Sequence, residues 1–211
     1  MRFFGQGLSC IRGERIVFAG LGFALSPGEA AVLAGRNGSG KTSLLRLMAA
    51  LTPAASGTLS WDDGPVADNP ERHRRRLHYV GHLDAVKPVL SVRENLLAWV
   101  RLRGGGGDAA DAGLARFGLS GLAGIPGRYL SAGQRRRLSL ARLAATPAEL
   151  WLLDEPTIAL DRDSVAALMA ALVSHRAGGG MAVIATNVAL GLEDAATIDM
   201  TGYAATAAPA G

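Results

Sequence analysis

The stretch Gly35-Arg36-Asn37-Gly38-Ser39-Gly40-Lys41-Thr42 constrains this chain more than any other, because it stands between an apolar run, Ala30 to Ala34, and a helical pattern from Ser43 to Leu51. Glycine frees the backbone to curl so that successive N–H groups face inward, and a helix beginning at the end of the loop adds positive potential. The segment is therefore predicted to cradle phosphates. Gly35, Arg36, Asn37, Gly38, Ser39 and Gly40 supply the wall, Lys41 a compact charge for the terminal phosphates, and Thr42, with Ser43 beside it, a hydroxyl for Mg²⁺. Of the 22 lysines and arginines only Lys41 and Lys87 are lysine. A lysine at the one place where a planar guanidinium would not substitute is hard to ascribe to an ordinary glycine-rich turn, even in a chain with 28 glycines.

The rest of the chain sets this loop in an α/β frame. Short apolar and period-two runs at Ile16 to Phe18, Ala30 to Ala34, His78 to Val80, Leu150 to Leu153 and Met181 to Ala185 alternate with helical patterns such as Ser43 to Leu51 and Val165 to Val173. Such alternation predicts a mainly parallel sheet with helices packed on it. Between Ala85 and Thr146 the strand signals vanish, and Leu96, Leu97, Val100, Leu114, Phe117 and Leu138 to Leu143 read as helices around the loop Gly104 to Gly107. One domain is expected over 1–211, with a core from 1–84 and 146–203, a small helical subdomain at 85–145, and a frayed tail at 204–211.

Composition narrows the setting. The lone Cys10 cannot form an internal disulfide, and no apolar run reaches eighteen residues. Neither an oxidising compartment nor a membrane span is expected, so any membrane role must come through a partner. The net charge is +4 and the pI about 9.8, with a basic run Arg72-His73-Arg74-Arg75-Arg76. That run has no interleaved aromatic side chains, so it reads as a solvated face or a subunit contact, and no nucleic-acid partner is expected.

Two further segments carry chemistry. Leu130-Ser131-Ala132-Gly133-Gln134 precedes Arg135 to Arg137 at the start of a helical pattern, and Leu150 to Leu153 runs into Asp154-Glu155-Pro156 and then Thr157-Ile158-Ala159-Leu160-Asp161. Asp154, closing an apolar strand, can hold Mg²⁺ directly or through water, and Glu155 can accept a proton from an attacking water. A helix start at Ser131 and Gly133 is a second ready anion site. In order and spacing these segments resemble the signature sequence, Walker B strand and D-loop of ABC ATPases, with Ala132 in place of the signature's first glycine. The resemblance implies a P-loop NTPase core that binds and hydrolyses ATP with Mg²⁺. It also implies a head-to-tail dimer in which Ser131, Gly133, Gln134 and Asp161 of one subunit meet the ATP held by the other.

Tyr79-Val80-Gly81-His82 through Lys87, Leu90 and Glu94-Asn95-Leu96 narrows the resemblance further, together with Arg12-Gly13-Glu14-Arg15 and Ser43-Leu44-Leu45-Arg46. This pattern is similar to the haem-exporter ATP-binding subunits of cytochrome c maturation, the CcmA family. Membership implies integral membrane partner subunits and a peripheral place on the cytoplasmic face of the bacterial inner membrane. Against the wider family, His82 takes the position of the Q-loop glutamine and Asn187 that of the switch histidine, places that sense the γ-phosphate or its metal. Arg12 falls where many relatives put an aromatic ring under adenine, although a guanidinium plane also stacks. The other readings are an ATPase subunit of a different exporter, a non-transport ABC ATPase, and a module that holds ATP without cleaving it. The last is disfavoured by the retention of Glu155.

Overall fold

A computed structural model describes residues 1–192 and 194–203; the predicted frayed tail, 204–211, lies outside the described residues. The chain builds two sheets. Strands β1 (Phe3–Arg12), β2 (Arg15–Leu25), β4 (Ser56–Trp61) and β5 (Gly64–Pro65) form an antiparallel sheet in the order β2-β1-β4-β5. Strands β3 (Ala30–Ala34), β6 (Leu77–Val80), β7 (Leu150–Asp154), β8 (Met181–Ala185) and β9 (Ala196–Asp199) form a sheet in the order β6-β7-β8-β3-β9, with every pairing parallel. Its central strands are apolar throughout because both faces are covered, as parallel sheets require.

The period of two along these strands divides the core. Leu150 and Leu152, with Met181, Val183 and Leu33, face one apolar cluster; Trp151 and Leu153, with Ala182 and Ile184, face another. The first cluster holds helix α1 (Lys41–Met48), whose Leu44, Leu45, Leu47 and Met48 are buried, together with Phe3, Phe18, Leu21 and Trp61 of the antiparallel sheet. The second is roofed by α3 (Val92–Leu102), α4 (Gly107–Arg116), α5 (Ala132–Ala145) and α6 (Arg162–Ala177). Full burial of each such leucine contributes about 1.5–3 kcal/mol, so α1 is anchored between the two sheets before any ligand arrives.

Several elements differ from the sequence expectation. The strand expected at Ile16 to Phe18 is the start of an eleven-residue strand of the antiparallel sheet, and β1 beside it was not foreseen because register shifts between Gly5 and Leu8 and between Leu8 and Ile11 break its alternation. Helix α1 ends at Met48 and not Leu51, and Phe117 follows α4 without continuing it. The basic run is a short helix, α2 (Pro70–Arg76), tied into the fold. His73 is buried between the Trp61 indole and the Met48 carbonyl, and Arg76 pairs with Asp63 and Glu149. Helical geometry aims every third or fourth residue of the run inward, which a count of charges does not reveal.

Candidate functional site

In a parallel sheet the carboxyl ends of the strands share one edge, where ligands of α/β proteins bind. Here β3 ends in the loop from Gly35, β7 ends in Asp154, and β8, lying between them, leads through Thr186 to Asn187. The edge opens into a cavity of about 550 Å³ lined by the phosphate loop from Arg36 to Ser43, by Asp154 and Glu155, and on its outer side by Arg12, Arg15, Ile16 and Val17.

The loop enters α1 through Gly40, whose φ of 99° is left-handed and whose missing Cβ would lie 2.8 Å from Val17 Cγ1. Only glycine can both turn and pack there. Lys41, buried to 8% exposure, donates from Nζ to the Gly35 carbonyl at 2.6 Å and to Asn187 Oδ1 at 3.0 Å. Asn187 in turn donates from Nδ2 to Glu155 Oε1 and to Asn37 Oδ1, each at 3.0 Å. One amide thus joins the lysine, the loop and the carboxylate. Thr42 donates its hydroxyl to Asp154 Oδ1 at 3.1 Å. Asp154 is 2% exposed, and its second oxygen is buried without a partner among the described residues, as is the Ser39 hydroxyl. An orphaned carboxylate oxygen costs about 1–3 kcal/mol or more, which a bound cation or donor would relieve.

Glu155 follows Asp154 at φ 46°, a left-handed conformation that costs a non-glycine residue of order 1–3 kcal/mol. The turn is secured by its N–H, which donates to the Ala185 carbonyl at 2.8 Å, and by its own carbonyl, which accepts from Arg136 at 2.7 Å. The turn brings Glu155 into the cavity lining.

The remaining predicted site residues divide. Arg12 lines the cavity. His82 is exposed on the loop after β6 and is not among the cavity's lining residues, so the structure does not bring it to the lysine and carboxylates. Ser131, Gly133, Gln134 and Asp161 also lie off this cavity. Ser131 caps α5, its hydroxyl accepting from the Gln134 N–H at 3.2 Å while Gln134 Oε1 accepts from the Ser131 N–H at 2.8 Å. Gly133 packs so tightly that a Cβ would lie 2.7 Å from the Ala159 carbonyl oxygen. Asp161 caps α6 through the Ser164 N–H at 2.8 Å, and the Ser164 side chain together with that N–H holds its carboxyl below the usual range. Sequence reasoning missed Arg15, Ile16 and Val17, which line the cavity from β2, and Arg136, most of whose partners are backbone carbonyls distant in sequence.

A family model described as ABC transporter matches residues 18–158. The cytochrome c biogenesis ATP-binding export protein CcmA of Rhodospirillum rubrum is 54% identical, covering 96% of this chain and 87% of its own. That of Paramagnetospirillum magneticum is 53% identical, covering 96% and 95%. Among solved structures, a putative ABC transporter ATP-binding protein from Pyrococcus furiosus superposes with a TM-score of 0.83 at 21% identity, over 97% of this chain and all of its own. The ATP-binding cassette MJ0796, solved as a dimer in a post-hydrolysis state with ADP and Pi, reaches 0.80 at 22% identity, over 88% of each chain. A phosphate loop, a buried aspartate and a strained glutamate at one sheet edge, with relatives alike from end to end, place the chain in the ABC transporter family, among the CcmA proteins, as an ABC-type ATPase.

Proposed function

We propose that this ATPase is the energy-supplying subunit of a cytochrome c biogenesis export complex, coupling ATP hydrolysis to the handling of haem or a haem-carrying chaperone at the membrane. The observation that carries the assignment of roles is the chain of contacts from Lys41 through Asn187 to Glu155, which sets a phosphate-binding cation and a candidate base on one amide. Lys41 exchanges its Gly35 partner for the terminal phosphates of ATP. Asn187, already bonded to both, reports the γ-phosphate to Glu155, and Glu155 orients the attacking water and takes its proton. Asp154 and Thr42 offer hard oxygen donors, one of them orphaned, that fit Mg²⁺. When bound there Mg²⁺ supplies charge neutralisation at the terminal phosphates. Arg12 and the apolar faces of Ile16 and Val17 take the nucleotide base.

The signature residues lie off the cavity, and this supports a head-to-tail dimer in which Ser131, Gly133 and Asp161 complete a partner's site. Among the described residues no helix is long and apolar enough to cross a membrane. A groove lined by Val86, Leu90, Trp99 and Leu102 presents an apolar face, with Leu102 81% exposed, and the loop leading to it exposes Leu83 and Val89. Apolar surface of this kind suits integral membrane subunits and supports a peripheral seat at the cytoplasmic face of the inner membrane.

Glu155→Gln tests the chemistry: ATP binding is retained, while kcat falls by roughly 10²–10⁴ because an amide cannot accept the proton. Parent turnover in that variant would assign the base elsewhere. For the transport role, the same variant is placed in the source bacterium and haem-stained c-type cytochromes are measured. Their loss supports the export reading; normal cytochromes c overturn it.

A further inference from the structure

Arg136 occupies a place no nucleotide-contact argument requires. It lies in the second turn of α5, 4% exposed, and its guanidinium makes five hydrogen bonds to two separate loops. Nη2 donates to the carbonyls of Asp154 and Glu155, both at 2.7 Å, and Nε to that of Pro156 at 3.3 Å. Nη1 donates to the Gly81 carbonyl at 2.8 Å and to Asp84 Oδ1 at 3.2 Å. The same face of α5 reaches the second loop again through Ser139, whose hydroxyl donates to the Asp84 carbonyl. One side chain therefore clamps the left-handed turn that carries Glu155, the loop that follows β6, and the helix that begins at Ser131.

We propose that Arg136 is a positioning residue for hydrolysis: its planar fork sets the Glu155 turn and makes the direction of that carboxylate depend on where α5 and the 81–84 loop stand. The inference rests on Glu155 as the base. Two features make it more than a packing contact. A left-handed glutamate persists only where its surroundings over-determine it, and of the three hydrogen bonds to its N–H and carbonyl, the only one from a side chain comes from Arg136, the others joining it to the Ala185 carbonyl and the Ile158 N–H. The fork also spans carbonyls of three successive residues, which a planar guanidinium with five fixed donors matches and a point-like ammonium does not. Because α5 starts at the signature residues, a shift of that helix on contact with a second subunit is delivered through Arg136 to the carboxylate, without passing through the phosphate loop.

The test compares Arg136→Lys with the parent full chain. Charge and stem are kept while the fork is lost, so kcat falls about ten- to hundredfold, as a base misplaced by about 1 Å does. Affinity for ADP, measured by calorimetry, stays within about twofold, because no contact of Arg136 reaches the cavity wall formed by the phosphate loop. A kcat equal to the parent's overturns the proposal, and so does a parallel fall of kcat and ADP affinity, which marks a general loss of structure. If Arg136→Lys does not fold, Asp84→Ala decides: it removes one arm of the clamp from a half-buried carboxylate. A several-fold fall in kcat at parent ADP affinity upholds the clamp, and parent kcat overturns it. Glu155→Gln measured alongside separates the two ideas. Full turnover there defeats the base itself, whereas a silent Glu155→Gln beside a fully active Arg136→Lys defeats only the role of Arg136.

Discussion

Two helices of this ATPase begin at predicted anion sites, and they begin differently. Helix α1 starts at Gly40 with no side-chain cap, so the N–H groups of its first turn have no partner from the capping position. Helix α5 starts at Ser131 with a complete capping box, its first donors already answered by Ser131 and Gln134. Every helix leaves orphan donors at its N-terminus, and a chain disposes of them either internally or by waiting for a ligand. The α1 terminus is kept open and relies on two sheets to hold its helix in place. The α5 terminus is self-sufficient, as suits its proposed role of meeting a ligand carried by a second subunit.

Four substitutions test that contrast. The largest effect is expected from Ser131→Arg, which fills the α5 terminus with a long cation: kcat drops by more than about a hundredfold through loss of alignment, while ADP affinity, set at α1, is unchanged by calorimetry. Lost ADP affinity would erase the distinction between the two ends. Lys41→Ala is the converse, with nucleotide affinity roughly hundredfold weaker because a charge-assisted contact worth up to about 3 kcal/mol disappears, and the melting temperature of the ligand-free chain little altered. A large fall in that melting temperature would mean that Lys41 is structural.

Asn187→His asks how well the α1 end is tuned for turnover. An imidazole keeps one donor and one acceptor and can also carry charge, so kcat should rise roughly tenfold, equivalent to about 1.4 kcal/mol of transition-state stabilisation. A slower variant would show that the amide bridge between Lys41 and Glu155 is already the better arrangement. The smallest effect belongs to Ser131→Ala. Removing the cap costs about 1 kcal/mol of stability, lowering the melting temperature by roughly 2–4 °C, and a shift seen only with nucleotide present would make Ser131 a ligand contact within its own chain.

What the sequence revealed and concealed follows the same line. The phosphate loop was legible because its glycines, lysine and threonine are consecutive, and Asp154 and Glu155 because they end an apolar strand. The pattern around Glu94 and Asn95 was legible as a family mark, but its physical reason was not. Glu94 completes a capping box with Ser91, and the buried Asn95 side chain bonds the backbone of Lys87, Leu90 and Ser91 at 2.7–3.1 Å, fixing that loop. Arg136 was hidden in a run of three arginines, since four of its five partners are carbonyls, which every residue possesses. The inner wall of His73 was hidden likewise among charges. His82 was counted from neighbouring motifs, which fixes the loop that carries it but not which way its side chain faces, and the structure shows it exposed on that loop.

The left-handed backbone at Glu155 also bears on the history of such chains. With Glu155 as the proposed base, heat resistance and turnover select for different residues at this position: glycine would sit there without strain, whereas glutamate carries the strain for the sake of its carboxylate. A descendant freed from hydrolysing ATP is therefore under pressure to lose this side chain early, and to gain thermal tolerance as it does. The residue found at this turn in a relative then records whether that lineage still depends on the chemistry.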